Sequence, residues 1–381
     1  MGDIQNCNFL NFTSANPFYA IETSIPTTFE GLSTFRNSLD ILTSLNTSYV
    51  GLNWNPPEST FSNSTDLAAE IKDDYNVQTQ LRIHYNNMTR NEIDDALKLV
   101  KSKGYYSILA VQNYGPESDG SDEFDEYNES DEPHEYNESD EPHEYNESDE
   151  PHEYNESDDY NDSYGKDVYT NSSSVKPDFK CAGELIEYIQ KNPDFKDAFK
   201  IGIIGSPDGL NKNNSDNNSD SNSGNSENED DGLNLDEIKS LVDTVNKGAH
   251  FVVTRPFYNT KKFIKWYNKC REMGIKVPII PSFFLIRDYE SFKKVKEQFN
   301  LCVPRFLEKR IEEIKHDQRK LKKLGAMFLI KQIKQVKRST DVIGYQISAT
   351  ELCKVIKKVL WKSELLKPKD RESLNFDLIE E

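Results

Sequence analysis

The chain has 381 residues and a formal net charge of −20 at pH 7. Residues 117–162 alone hold 22 acidic side chains and no Lys or Arg, so the low isoelectric point belongs to inserted segments and says little about the rest. No window approaches the roughly 18 apolar residues of a membrane span, and the five scattered cysteines have no CxxC spacing, which excludes a disulfide framework or a zinc site and fits a reduced, cytoplasmic protein.

Residues 1–14 read as a tail without a basic start followed by an apolar run, so no secretory signal is expected. A short apolar run at 18–21 ends at Glu22 and is followed by a helical segment over 29–45. Residues 48–52 predict a second strand that ends at Asn53 before a Pro-Pro turn. A helix is expected from a Thr65 cap to about residue 74. Residues 78–85 alternate as a strand containing Arg82. Thr89 caps an amphipathic helix over 91–103, whose Ile93, Ala96, Leu97 and Val100 recur at helical spacing, and Gly104 stops it. Residues 106–111 make a fourth strand that leads into Gln112 and Tyr114.

The first insert follows. Its core is the nine-residue repeat EYNESDEPH, in three full copies from residue 126 to 152. A period of nine is too short for a helical solenoid unit, and a Pro in every copy with one aromatic argues against a packed core. His134, His143 and His152 among carboxylates suggest metal binding, but a solvated disordered loop is the expected state, and no metal site is expected.

A helix over 182–191 and a strand over 200–204 come next, the latter ending at Ser206. A second Asn/Ser/Asp-rich insert occupies 211–232. Beyond it lie a helix over 235–245, containing Glu237 and Thr244, and a continuous apolar strand at 249–253. That strand ends at Thr254 and Arg255. A helix over 260–273 precedes a seventh strand at 277–280. The basic region from 304 to 337 predicts helices broken near Gly325. An eighth strand at 342–347 and a helix over 351–361 close the pattern. The basic helices carry apolar residues at helical spacing without interleaved aromatics, so nucleic-acid binding is not expected.

Eight strands alternating with helices predict a (β/α)8 barrel, an α/β TIM barrel. It spans residues 15–365, is interrupted by disordered loops at 116–175 and 211–232, and ends in a tail at 366–381. Ligand chemistry in such a sheet sits past the carboxyl ends of the strands.

Several stretches resemble one family in order and spacing. YAIETSIP is similar to a first strand with a catalytic Glu, VGLNWNPPES to a second strand with Thr-Trp-Gly, and QLRIHYNNM to a His-Leu-Thr-Cys strand. SILAVQNYGP stands where the family has Asn-Ile-Leu-Ala-Leu-Arg-Gly-Asp-Pro. IGIIGSPDGL, KGAHFVVTRPFYN and GIKVPIIPSFFLI resemble its later segments. The family is that of the methylenetetrahydrofolate reductases.

That resemblance implies a barrel binding FAD non-covalently at its rim, with NAD(P)H as hydride source and a folate as substrate. The reaction it implies reduces 5,10-methylenetetrahydrofolate to 5-methyltetrahydrofolate, which feeds methionine biosynthesis. Glu22 matches the family's general acid. At cofactor positions the chain has Asn53 for Thr, Arg82 for His, Gln112 for Arg, Ser206 for Tyr and Leu210 for His. Glu237 keeps a carboxylate, and Thr244 stands for a phosphate-binding Lys. At substrate positions Tyr114 stands for an Asp and Arg255 for a Gln. With so many rim residues changed, the expectation is a reductase-like protein with weakened or lost catalysis. An active, diverged reductase and a non-catalytic binding or oligomer partner of an active paralogue remain as alternatives.

Overall fold

The structure, a computed structural model, describes residues 8–23, 29–43, 45, 47–54, 58–112, 178–209, 233–348 and 353–366. The chain divides into a unit of Met1–Asn113 with Val168–Glu381 and a second of Tyr114–Asp167. The second unit, with Leu210 and both expected insert loops, lies outside the described residues.

Strands and helices alternate from β1 (Phe18–Thr23), α1 (Phe29–Thr43), β2 (Tyr49–Trp54) and α2 (Glu58–Tyr75) to β3 (Gln78–His84), α3 (Arg90–Ser102) and β4 (Ser107–Val111). They continue with α4 (Ala182–Lys191), β5 (Lys200–Gly205), α5 (Leu235–Asn246), β6 (Phe251–Thr254), α6 (Thr260–Glu272), β7 (Ile279–Ile280) and β8 (Ser282–Phe284). Helices α7 (Tyr289–Gln298), α8 (Arg305–Glu313) and α9 (Gln318–Ser339), strand β9 (Gly344–Ser348) and α10 (Cys353–Lys362) complete the order. One parallel sheet runs β7-β6-β5-β4-β3-β2-β1-β9-β8.

β7 and β8 are two halves of one strand parted by Pro281. Ile279 and Ile280 pair with β6, while residues 282–284 pair with β9. Gln346 N donates to Pro281 O at 2.9 Å across the junction. Nine named strands therefore fill eight positions, and the sheet closes. The seventh strand continues past Pro281 rather than ending there, because a proline's missing N–H is tolerated where the strand changes partners.

The strands are covered on both faces, as their apolar runs predict. Outward residues such as Ile21, Leu81, Ile203 and Ile347 pack against helix residues that include Ile93, Leu97, Phe263 and Ile333. Inward residues form a second core of Ala20, Tyr49, Leu109, Phe251, Val253 and Ile280. A 3-10 turn at Asn8–Asn11 closes the foot of this inner core. Its Phe9 ring lies 4.9 Å from Tyr49, 5.6 Å from Phe18 and 5.4 Å from Phe251, centroid to centroid.

Helix signals were legible where side chains cap. Thr89 forms the expected capping box with Glu92 at the start of α3. Asn234, Asn259, Asp288 and Asp317 accept from the third helical N–H of α5, α6, α7 and α9, each satisfying a donor the helix leaves open. Two boundaries differ from expectation. α2 begins at Glu58, so Thr65 lies inside the helix. The basic region breaks at residues 314–317, not at Gly325. A Cβ on Gly325 would lie 2.0 Å from Ile286 O, so this glycine lets α9 press against the chain leaving β8.

Candidate active site

The period of two along each strand fixes what points into the barrel. On β1 the inward residues are Phe18, Ala20 and Glu22; on β2 they are Tyr49, Gly51 and Asn53. The lower positions are apolar and the upper ones polar, so the polar end coincides with the strands' carboxyl termini.

Glu22 sits at the centre of that end. Its register partners are Gly51 on β2 and Ser348 on β9. Arg82 on β3 pairs in register with Asn53, and its guanidinium forms an ion pair with Glu22 Oε1 across β2. The two side chains are only 14% and 13% exposed. Glu22 Oε2 accepts from Gln346 Nε2 at 2.7 Å and from the Ser348 hydroxyl. Such a nearly buried pair persists because neutral donors satisfy the remaining oxygen. Below it, Gln346 Oε1 accepts from the Tyr49 phenol at 2.9 Å, and Ser282 Oγ lies 3.3 Å from Ser348 Oγ.

Other predicted residues are dispersed, most of them around the rim, with Thr244 near the far end of α5. Gln112, just past β4, accepts from the Tyr85 phenol at 3.2 Å. Ser206 opens the turn after β5, where Gly209 N donates to its carbonyl at 3.1 Å. Glu237, in the first turn of α5, places its carboxylate so close to Gly209 that a Cβ there would lie 3.6 Å from Oε2. Thr244 lies further along α5, and its hydroxyl donates to Ser240 O at 2.8 Å. Arg255, 9% exposed, directs its guanidinium over the Phe299 ring at 5.6 Å. Tyr114 lies outside the described residues. The structure thus brings Glu22, Asn53 and Arg82 together, and leaves Gln112 and Thr244 engaged with their own surroundings.

Beside Ser206, Asp208 anchors the rim. Its Oδ2 accepts from Cys302 N at 3.1 Å, and Lys262 Nζ donates to its backbone carbonyl at 3.1 Å. Burial raises its carboxyl above the usual range, against the lowering pull of Cys302 N and Lys262.

The positions that the family resemblance gives to FAD do not fit a flavin dinucleotide well. Arg82 is paired with Glu22, Gln112 is held by Tyr85, and Thr244 is turned to its own helix backbone. None of these three brings a cation to a diphosphate. Among the described residues no group of three or more His, Cys, Asp or Glu could hold a metal, and no helix is long and apolar enough to cross a membrane.

The sequence reading missed Gly51, Tyr49, Gln346 and Ser348. The signal was present in β9, where Gln346 and Ser348 are polar residues two apart in an otherwise apolar strand. That spacing puts both on one face, as it does Gln80 and Arg82 in β3.

Comparison with known proteins places these features in context. The family model described as methylenetetrahydrofolate reductase matches residues 9–134 and 164–364. Methylenetetrahydrofolate reductase 2 of Saccharomyces cerevisiae is 23% identical over 356 residues, covering 93% of this chain and 48% of its own. Methylenetetrahydrofolate reductase (NADH) 1 of Arabidopsis thaliana is 23% identical over 318 residues, 84% of this chain and 43% of its own. The chain spans about half the length of these curated relatives. A solved structure, an uncharacterized protein from Clostridium thermocellum that binds two copies of 5-methyl-5,6,7,8-tetrahydrofolic acid, aligns with a TM-score of 0.54 at 12% identity. It covers 97% of this chain and 99% of its own, a likeness of fold.

Proposed function

The chain belongs to the methylenetetrahydrofolate reductase family, and we propose that it is a folate-binding barrel of that family in which the reductase step is weakened or lost. The observation that carries this reading is the ion pair between Glu22 and Arg82. The family role of Glu22 is to donate a proton to the folate. General acid catalysis needs a group that holds its proton near the working pH. A guanidinium and two hydrogen-bond donors on one carboxylate favour its ionised form, so this arrangement holds the acid without its proton.

FAD binding is expected to be weak for the reasons of fit given above, and NAD(P)H would have no bound flavin to reduce. The folate part of the reading is supported by family membership and by the ligand of the C. thermocellum protein, which shares the fold. In a cell the protein would then act in cytoplasmic one-carbon and methionine metabolism as a binding protein, or as the oligomeric partner of an active paralogue. One observation favours an active, diverged reductase instead: Glu22 itself is retained at the end of β1 and faces the barrel mouth.

The test combines binding and turnover. Purified protein should quench on titration with 5-methyltetrahydrofolate, yet fail to support growth of a methionine-requiring strain lacking its own reductase. Arg82→His, which restores the family's residue type, should raise turnover with added FAD and NAD(P)H. Growth by the unaltered protein that disappears in Glu22→Gln would establish the active reading.

A further inference from the structure

The Glu22 carboxylate is the end of a hydrogen-bond chain that starts deep in the barrel. Its buried start is the Tyr49 phenol on β2. Tyr49 donates to Gln346 Oε1 on β9 at 2.9 Å, and Gln346 Nε2 donates to Glu22 Oε2 on β1 at 2.7 Å. Three residues on three strands are therefore linked. Tyr49 and Gln346 are at most 1% exposed, so water does not supply alternative partners.

We propose that Gln346, its amide oriented by the Tyr49 phenol, is the positioning residue that holds Glu22 as a carboxylate at the barrel mouth. The argument is one of donors and acceptors. An ionised carboxylate only accepts, so the Gln346 amide must turn its NH2 toward Glu22 and its oxygen toward Tyr49. Tyr49 must then donate its single proton to that oxygen. Every link points the same way, toward Glu22.

The direction resists reversal. Burial raises the Tyr49 phenol far above its ordinary value, so the phenol keeps its proton and stays a donor. Tyr49 is also fixed in place by its ring, which packs on Phe9 and Phe18 at 4.9 and 5.9 Å. A proton arriving on Glu22 Oε2 would meet the Gln346 NH2, a donor facing a donor. Relieving that clash needs an amide flip that sets the Gln346 NH2 against the Tyr49 O–H. Cooperative polarisation along such a buried chain adds to the preference.

Among the described residues, the charged group in contact with Glu22 is Arg82 from β3. The neutral groups around it are Gln346 and Ser348 from β9, with Ser282 from β8 bonded to both. Arg82 supplies the charge; the relay supplies the geometry. Its functional meaning rests on reading Glu22 as the site carboxylate of a folate barrel, but the relay itself does not depend on folate.

The experiment reads the carboxyl group directly. In the full chain labelled with 13C at glutamate carboxyls, the Glu22 resonance is identified by its loss in Glu22→Gln and followed against pH. Unaltered Glu22 should titrate below the ordinary glutamate range. Gln346→Leu, which removes the donor, should raise its midpoint by about one pH unit, a tenfold gain in proton affinity. Tyr49→Phe keeps the packed ring and removes only the orienting proton, and should move the midpoint the same way by less. If Gln346→Leu does not fold, Tyr49→Phe decides alone. A midpoint unchanged in Tyr49→Phe, or an unaltered Glu22 that titrates in the ordinary range, overturns the proposal. No turnover gained by Arg82→His while these titrations hold would separate the two readings, because the relay would stand and only the reason given for weak catalysis would fail.

Discussion

Glu22 and Arg82 meet over a glycine. They lie on β1 and β3, with β2 between them, and the β2 residue in register with Glu22 is Gly51. With no side chain at that inward position, the guanidinium reaches across an intervening strand to the carboxylate.

This makes Gly51 a sensitive position. A Cβ there would find ordinary contacts of 3.7 Å to Glu22 Cα and Ile21 O. Gly51→Ala should therefore be neutral or stabilising by up to about 0.5–1 kcal/mol, because glycine within a strand is entropically costly. Gly51→Val adds methyls between the two charges and should destabilise by about 2–4 kcal/mol by separating a buried pair. Urea denaturation of the two variants, compared at neutral pH, checks the opposite signs.

Gly325→Ala tests the packing of α9. The added Cβ would lie 2.0 Å from a backbone oxygen, which a rotamer change cannot relieve. Overpacking of this kind costs about 1–3 kcal/mol. At Gly274, by contrast, nothing lies within 4 Å of the added Cβ and only the positive φ of 99° resists substitution. Both variants should lower Tm, and only Gly325→Ala should perturb backbone resonances around Ile286.

Removing the foot of the barrel should be costly. Phe9 is 3% exposed and touches three inward aromatic rings. Phe9→Ala should destabilise by about 3–5 kcal/mol, the range for deleting a buried phenyl ring. Phe9→Leu should recover more than half of the loss. Thermal or chemical unfolding of both variants checks the order.

Stability should also depend on pH through His250. Its Nδ1 accepts from Ile201 N at 3.1 Å at the start of β5, and burial, with Lys200 nearby, pushes its imidazole below the ordinary 6.5. The folded state therefore favours the neutral ring. Its contribution is fully present above the unfolded value and is lost as pH falls from there through the folded one. The unfolding free energy should decline between about pH 7 and 5, and His250→Gln should flatten that slope.

Much of the fold was legible in the sequence because barrel strands buried on both faces stand out as apolar runs. Gly104, Gly248 and Gly274 mark helix ends at positive φ values of 73°, 121° and 99°. Pro281 misled because a proline is usually a stop, and here it divides one strand between two neighbours. The site was legible in part. Glu22, Asn53 and Arg82 could be assigned to strand ends from periodicity and resemblance. That Arg82 engages Glu22 could not, because the contact depends on what stands on the strand between them. Arg255 illustrates the converse. The resemblance puts it at a substrate position, but that its guanidinium lies over Phe299 is a contact set by how α7 ends rather than by anything near residue 255.

The aromatic closure at Phe9 gives the barrel the character of a well rather than a tunnel. Among the described residues the amino end of the barrel is filled, so the approach to Glu22 and the departure from it are both from the strands' carboxyl ends. Two molecules that both need that carboxylate must then take turns, whichever of them arrives first.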